Sequence, residues 1–404
     1  MKPYVDALVR EALSDATEAG LLPARTMPGF RVDAPRHAEF GDLACDVPLV
    51  LARELGEPPQ ALAALVVDRI RDRNGWLAGM DVGGPGFVNF RFASSFWHAR
   101  LLDAVAAGAA YGRTSAGRGR RVRVTIDRAR PDAAPTIADG RAGAIAGAAV
   151  RLLVAAESDV ERGGTVPDID APLPAGGATG TPDEVVAIAA VAHAGEVARS
   201  AVREPDATAF RLLAVHPVRL TRDGQPVRGE PALAAVVDEI GRDAARFLLL
   251  LERRDRTLDL DLELAKLDGT DNPLFHARLA CARLGQVTRA TPPGTMPLDP
   301  SLLDDSDVES LRLLAAWPDV VEFATRAVEP HRIATHALEV AAAGHRWMNR
   351  NHLCTGNRPP AGVRLALADC LRQMLGGALA LCGVSAPERI VRPDAEEVEG
   401  WTAQ

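Results

Sequence analysis

RVRVTIDRARPDAAPTIADGRAGAIAGAAVRLLVAAESDV, residues 121–160, sets the fold class. RVRVTI (121–126) alternates apolar and charged residues and is β-branched, which predicts a strand. A proline-rich turn follows at 131–135, and then a helix from Arg141 to Ala156 unusually rich in alanine and glycine. Strand, turn and helix in that order form the opening unit of an open parallel sheet. Downstream, EVVAIAAV (184–191) predicts a buried strand, followed by a helix to about residue 203. Residues 162–182 between them are Gly, Pro and Asp without a period, the signature of a flexible loop. FRLLAVHPVRLTRDGQPV (210–227) predicts two strands joined around Asp223-Gly224.

Upstream, residues 4–19 carry apolar side chains at helical spacing. Further helices are predicted at 42–55, with Asp42 as its cap, and at 60–74. Short strands at 80–82 and 86–92 complete a small α+β module over residues 1–110. From 234 onward the period is helical, at 234–251, 271–290, 301–327, 331–350 and 361–383, which predicts an all-α domain of about five helices. The tail 391–404 is acidic.

The 404 residues suffice for two or three domains. Hydrophobic residues at 47% and charged residues at 25% are ordinary for a globular chain and exclude disordered and collagen-like classes. No run approaches the ~18 apolar residues of a membrane span, and the N-terminus, with Asp6, Glu11, Asp15 and Glu18, does not read as a signal peptide. Five scattered cysteines without a CxxC pair argue against a disulfide framework and point to a reducing cytoplasm. The nine histidines and five cysteines never cluster at ligand spacing, so no metal site is expected. No nucleophile–histidine arrangement has local support either. Only Lys2 and Lys266 are lysines. The net charge of −8 weakens nonspecific attraction to nucleic acid, which leaves local patches to provide any such binding.

Four segments in order, GGPGFVNFRF (83–92), AAYGRTSAGRGRRVRVTIDRARP (109–131), GRDAARFLLLLERRDRTLDLDLELAK (241–266) and GVSAPERI (383–390), resemble arginyl-tRNA synthetase, a class I enzyme family. The block HAEFGDLACDVPLVLARELG (37–56) fits that family's N-terminal appended domain, and DAAR (243–246) stands at its DALR signature. The resemblance implies three parts. They are a tRNA-elbow module (1–110), a shortened Rossmann-like parallel-sheet core (111–265) and a DALR-type anticodon-binding helical bundle (266–390), ahead of the acidic tail (391–404).

The same resemblance locates the departures. The family's HIGH motif falls on Thr136, Ile137, Ala138 and Asp139, so both histidines that contact ATP phosphates are absent, and Asp139 brings a carboxylate toward a triphosphate. Gly140 and Arg141 match the residues that follow. The KMSK loop falls on Arg228, Gly229, Glu230 and Pro231, with several residues missing and no lysine. AVAHAGEVAR (190–199) looks like the family's GADHHGY region with Ala192 in place of the aspartate. Asp139 and Arg228 stand 89 residues apart in sequence, room for about two βαβ units and almost none for an amino-acid pocket.

The resemblance also implies RNA contacts. Phe87 and Asn89 stand where the family sets an aromatic residue and an asparagine against a D-loop base, a stacking face beside a hydrogen-bonding amide. Phe87 serves equally well as strand core, whereas a buried Asn89 amide requires partners. Arg283 closes the first helix of the DALR-like bundle, where His276, Leu279 and Cys281 replace the usual residues. Arg346 and Arg350, with Trp347 for stacking, lie in a stretch (340–368) without an acidic residue, a phosphate-facing strip or a solvated helix face. Arg118–Arg130, with six arginines and one aspartate, is a second such run or a strand edge.

The function expected is binding of tRNA or a tRNA-like RNA without aminoacylation, a non-catalytic or regulatory paralogue that could serve a partner enzyme using charged tRNA. No cofactor is expected in that case. The alternative is an arginine–tRNA ligase using ATP, and a further one is a protein-interaction scaffold.

Overall fold

The computed structural model describes residues 1–23, 27–35, 37–126, 134–164, 182–190, 209–229, 231–290, 294, 296–353 and 361–387. The chain divides into two compact units, Met1–Asp103 and Ala104–Gln404.

In the first unit, α1 (Lys2–Glu18) buries the stripe Val5, Leu8, Val9, Ala12, Leu13 and Ala16, the face its periodicity marks. The strands β1 (Val32–Asp33), β2 (Leu43–Cys45), β3 (Leu77–Gly83) and β4 (Phe87–Phe92) form an antiparallel sheet in the order β1-β2-β4-β3. The helices α2 (Val47–Leu55) and α3 (Pro59–Arg69) lie between β2 and β3 in sequence, and α3 packs on α1. The predicted helix over 42–55 starts late. Residues 43–45 pair with β4 instead, and the Asp42 carboxylate accepts the Phe92 N–H at 2.7 Å rather than capping a helix. Gly41 (φ 94°) permits this, since a Cβ there would meet the Phe90 carbonyl oxygen at 2.6 Å.

The second unit begins within α4 (Ser94–Ala107) and contains a parallel sheet. Its strands β5 (Arg121–Ile126), β6 (Asp159–Gly164), β7 (Glu184–Ala190) and β8 (Ala209–Val215) run in the order β6-β5-β7-β8, every neighbour parallel. Helix α5 (Ile137–Ala155) follows β5. It is buried on nearly all sides, packed on the sheet and on helices from later in the chain. Only small residues permit such close approach from every direction, which accounts for its Ala/Gly composition. The predicted loop 162–182 is corrected at its start, because Arg162–Gly164 pair with β5 as the end of β6. Its remainder up to 181, and the helix expected to about 203, lie outside the described residues.

The segment 210–227 contributes to two sheets. β8 joins the parallel sheet, while β9 (Val218–Arg222) and β10 (Gln225–Pro226) form the hairpin turning at Asp223-Gly224. β9 also pairs in parallel with β11 (Leu258–Asp261). The single helix expected over 234–251 is two, α6 (Leu233–Ile240) and α7 (Arg242–Leu249), broken at Gly241 (φ 83°, ψ 150°). A short α8 (Leu262–Lys266) leads into the bundle: α9 (Pro273–Ala290), α10 (Asp305–Ala327), α11 (His331–Arg350) and α12 (Gly362–Leu381). The bundle helices pack on one another through alternating Ala, Leu and Val positions.

Candidate nucleotide and RNA sites

The order β6-β5-β7-β8 places a topological switch point between β5 and β7, where open parallel sheets bind nucleotides beside the first helix. The N-terminus of α5 stands at this point, and free N–H groups there would suit a phosphate. Here a capping box occupies two of them. Thr136 is the N-cap, and its Oγ1 accepts the Asp139 N–H at 3.3 Å. The Asp139 carboxylate in turn accepts the Thr136 N–H at 2.9 Å. The carboxylate, 7% exposed, is therefore folded back onto its own helix rather than aimed at a triphosphate. Ile137 is buried, and Ala138 carries no polar group.

The segment that follows the second expected motif position packs against the first. Thr136 bridges Ala232, and the Leu233 N–H donates to Pro135 O at 2.9 Å. Arg228 and Gly229 thus lead into a segment packed against the start of α5, while Glu230 lies outside the described residues and Pro231 is half-buried. Leu233 lies directly over Gly140, where an added Cβ would meet Leu233 Cδ1 at 2.4 Å. A leucine side chain therefore fills the space in front of the glycine. His193, Gly195 and Ala192 lie outside the described residues.

One residue of this corner was visible in the sequence only as a match. Arg141 is 0% exposed, and its guanidinium donates to four carbonyls at 3.0 Å or less: His216 at 2.8 Å, Arg256 at 2.7 Å, Glu252 at 3.0 Å and Arg253 at 2.8 Å. Burial lowers it to about 10, which leaves it charged at neutral pH. It ties the start of α5 to the strand entrances of both β9 and β11.

The cationic run from Arg118 is neutralised where it is described. Arg118 pairs with Glu157, Arg120 with Glu184, Arg121 with Asp183 and Arg123 with Glu161. These acids come from the neighbouring strands and the turn after α5, so the described part of the run is an ion-paired central strand with its lead-in turn rather than a phosphate surface.

In the first unit, Phe87 and Asn89 line one cleft of about 580 Å³ with Phe40, Arg31 and Asp46. Asn89 is 3% exposed, and its amide Nδ2 donates to Asp81 at 3.0 Å. The buried amide has its partner, and Phe87 remains half-buried at the cleft wall. Phe40 is an exposed aromatic ring that sequence pattern gave no reason to select. The cleft can hold a flat, hydrogen-bonding group between aromatic walls.

In the bundle, Arg283 Nη1 donates to His345 Nδ1 at 2.9 Å and Nη2 to Asn349 at 2.7 Å. Accepting at Nδ1 fixes the His345 proton on Nε2, which faces the His276 carbonyl. Burial first, then His276 and Arg283, hold His345 down to about 4, so it is neutral at physiological pH. Arg346 and Arg350 are exposed on the same helix. The strip is not free of acid, because Arg346 pairs with Glu309 at 2.5 Å, and Arg364 with Asp304 and Asp307. Trp347 is corrected as a stacking residue. It is 2% exposed and donates its indole N–H to Asp307 at 2.8 Å, because its helix phase turns it into the bundle core.

The DAAR segment also gains a physical account. Asp243 accepts from Arg278 of α9 and from the Ser385 hydroxyl, while Arg246 donates to Gly383 O at 3.2 Å. The signature therefore fastens α7 to the first bundle helix and to the chain after α12. Among the described residues no group of His, Cys, Asp or Glu could hold a metal ion, and no helix is long and apolar enough to cross a membrane.

Known proteins share this arrangement. Residues 4–92 match the arginyl tRNA synthetase N terminal domain, and residues 277–390 the DALR anticodon binding domain. The arginine–tRNA ligase of Anaeromyxobacter dehalogenans (strain 2CP-C) is 26% identical over 594 aligned residues covering 98% of this chain and 99% of that one. That of Geobacter metallireducens is 25% identical, covering 96% and 100%. The arginyl-tRNA synthetase structure from Thermus thermophilus superposes with a TM-score of 0.70 at 16% identity, covering 95% of this chain and 100% of that one. The one from Plasmodium falciparum gives 0.71 at 8%, covering 96% and 99%. With the N-terminal and DALR domains matched and the likeness running nearly end to end, this chain is a homologue of the arginine–tRNA ligases and a member of the arginyl-tRNA synthetase family.

Proposed function

We propose that the protein binds tRNA, as its anticodon-binding-type domain suggests, and that it does so without charging it. The observation that carries the second half is the start of α5. The N–H groups of Thr136 and Asp139 are taken by the capping box, and the glycine behind them is covered by Leu233. No lysine lies between Lys2 and Lys266 to stabilise a transferring phosphate. Each such donor is worth ~10²–10³ in rate, and several are missing together. Chain length supports the same reading. The alignment to the Anaeromyxobacter ligase spans 594 positions and this chain has 404 residues, so at least 190 positions have no counterpart here.

A second reading has its own observation. Likeness to curated arginine–tRNA ligases along nearly the whole chain favours an active ligase that uses ATP, and on names alone it is the stronger of the two. Arginine-dependent ATP–pyrophosphate exchange, measured with and without tRNA, separates them. No exchange above background supports the proposal, while exchange at ordinary synthetase rates establishes the ligase.

Filter binding tests the RNA half. Arg283→Ala with Arg350→Ala should weaken tRNA binding and flatten its salt dependence by ~0.7–0.9 per phosphate contact. Phe87→Ala should cost ~1–3 kcal/mol with little change in slope. Affinity no higher than for random RNA of equal length would leave the scaffold role.

A further inference from the structure

Where the C-terminal end of α5 passes α12, the second unit leaves a groove of about 310 Å³ that neither the nucleotide corner nor the RNA-facing residues use. Its walls are mainly apolar: Val154 from α5, Trp317 and Val321 from α10, Met374 and Leu381 from α12. The volume lies at the lower end of the ~300–1,000 Å³ typical of small-molecule sites.

Three observations make it more than a packing fault. Gly377 lines the groove inside α12, and a Cβ there would meet nothing within 4 Å. A glycine inside a helix costs ~1 kcal/mol relative to alanine, and here no neighbouring backbone approaches to require it. The opposite rim is fixed rather than loose. Gly112 (φ 85°) lets the 108–112 turn close onto the indole of Trp317, whose Nε1 donates to Tyr111 O at 3.1 Å. Finally, the charged residues that line the groove among the described residues are Arg113 and Arg151, with no carboxylate. Cys370 offers no nucleophile, since burial pushes its thiol up to about 12.

We propose that this groove is a binding site for a small amphipathic anion. Its apolar body, the size of a two-ring aromatic or a medium alkyl chain, lies along Val321, Met374 and Gly377, and its anionic group faces Arg113. Charge selects the anion and the glycine leaves room for the body. The site is independent of the tRNA reading.

The test uses the full chain and two probes of nearly equal shape, anionic 8-anilinonaphthalene-1-sulfonate and uncharged N-phenyl-1-naphthylamine, followed by fluorescence. Wild type should bind the sulfonate at one saturable site. G377L, at an exposed position where leucine favours helix, should fill the groove and weaken both probes at least about tenfold. A380L, on the same wall, repeats that test should G377L lose its cooperative melt. R113Q should weaken the sulfonate about two- to fivefold, the scale of one exposed charge contact, and leave the neutral amine unchanged. Absence of saturable binding by wild type, or binding that survives both G377L and A380L, overturns the site. An R113Q variant that affects the two probes alike overturns the anionic preference.

Discussion

Replacing Arg141 by methionine should unfold the parallel-sheet core at markedly lower temperature. The side chain is fully buried and its planar guanidinium holds four carbonyls at 2.7–3.0 Å, from residues 216, 252, 253 and 256. Charge-assisted bonds of this kind are worth ~1.5–3 kcal/mol each. Removing the charge also recovers part of its desolvation, so the net loss should be about 3–5 kcal/mol, as for other broken buried polar clusters. At ~2–4 °C per kcal/mol for a large domain, Tm should fall by ~6–20 °C in far-UV circular dichroism. Arg141→Lys should lie between, because an ammonium has three donors and no planar fork to span four carbonyls. An R141M variant melting within about 2 °C of wild type would refute the reasoning, since it would mean the carbonyls are satisfied equally well by water.

Acid should weaken the bundle through His345. Its folded value of about 4 lies below the ordinary 6.5, so the stability it contributes is full above pH 6.5 and is lost as pH falls toward 4. Melting at pH 7 and pH 5 should differ by several degrees in wild type, and by less in His345→Gln, which keeps an acceptor for Arg283 but cannot titrate. The Asp243–Arg278 contact should give a coupling of ~1–2 kcal/mol in a double-mutant cycle of Asp243→Asn and Arg278→Ala, and additive effects would dismiss the DAAR segment as a fastening. Gly140→Ala should destabilise by ~1–3 kcal/mol through Leu233, and in a Leu233→Ala background it should be neutral or stabilising, as alanine favours helix. Equal cost in both backgrounds would place the clash elsewhere.

Sequence alone determined what depends on local period. The strand 121–126 and the helix 331–350 are found at their expected limits, because alternation and a 3.6-residue stripe each fix which face is buried. The overall class, an α+β module, a parallel sheet and a helical bundle, follows from the order of such segments. Pairing of one residue with a distant one is beyond that signal, and there the tertiary structure decided. Asp42 reads as a helix cap until β2 is seen to pair with β4, and the stretch 340–368 reads as acid-free until Glu309 and Asp307 arrive from α10. Trp347 and Arg346 are adjacent in sequence, yet a 100° step around the helix buries one and exposes the other. The sequence offered Asp139 only as a carboxylate at a position where the family resemblance expects a histidine. That it turns back to cap its own helix, with Leu233 closing the glycine beside it, required the second segment to be folded against the first.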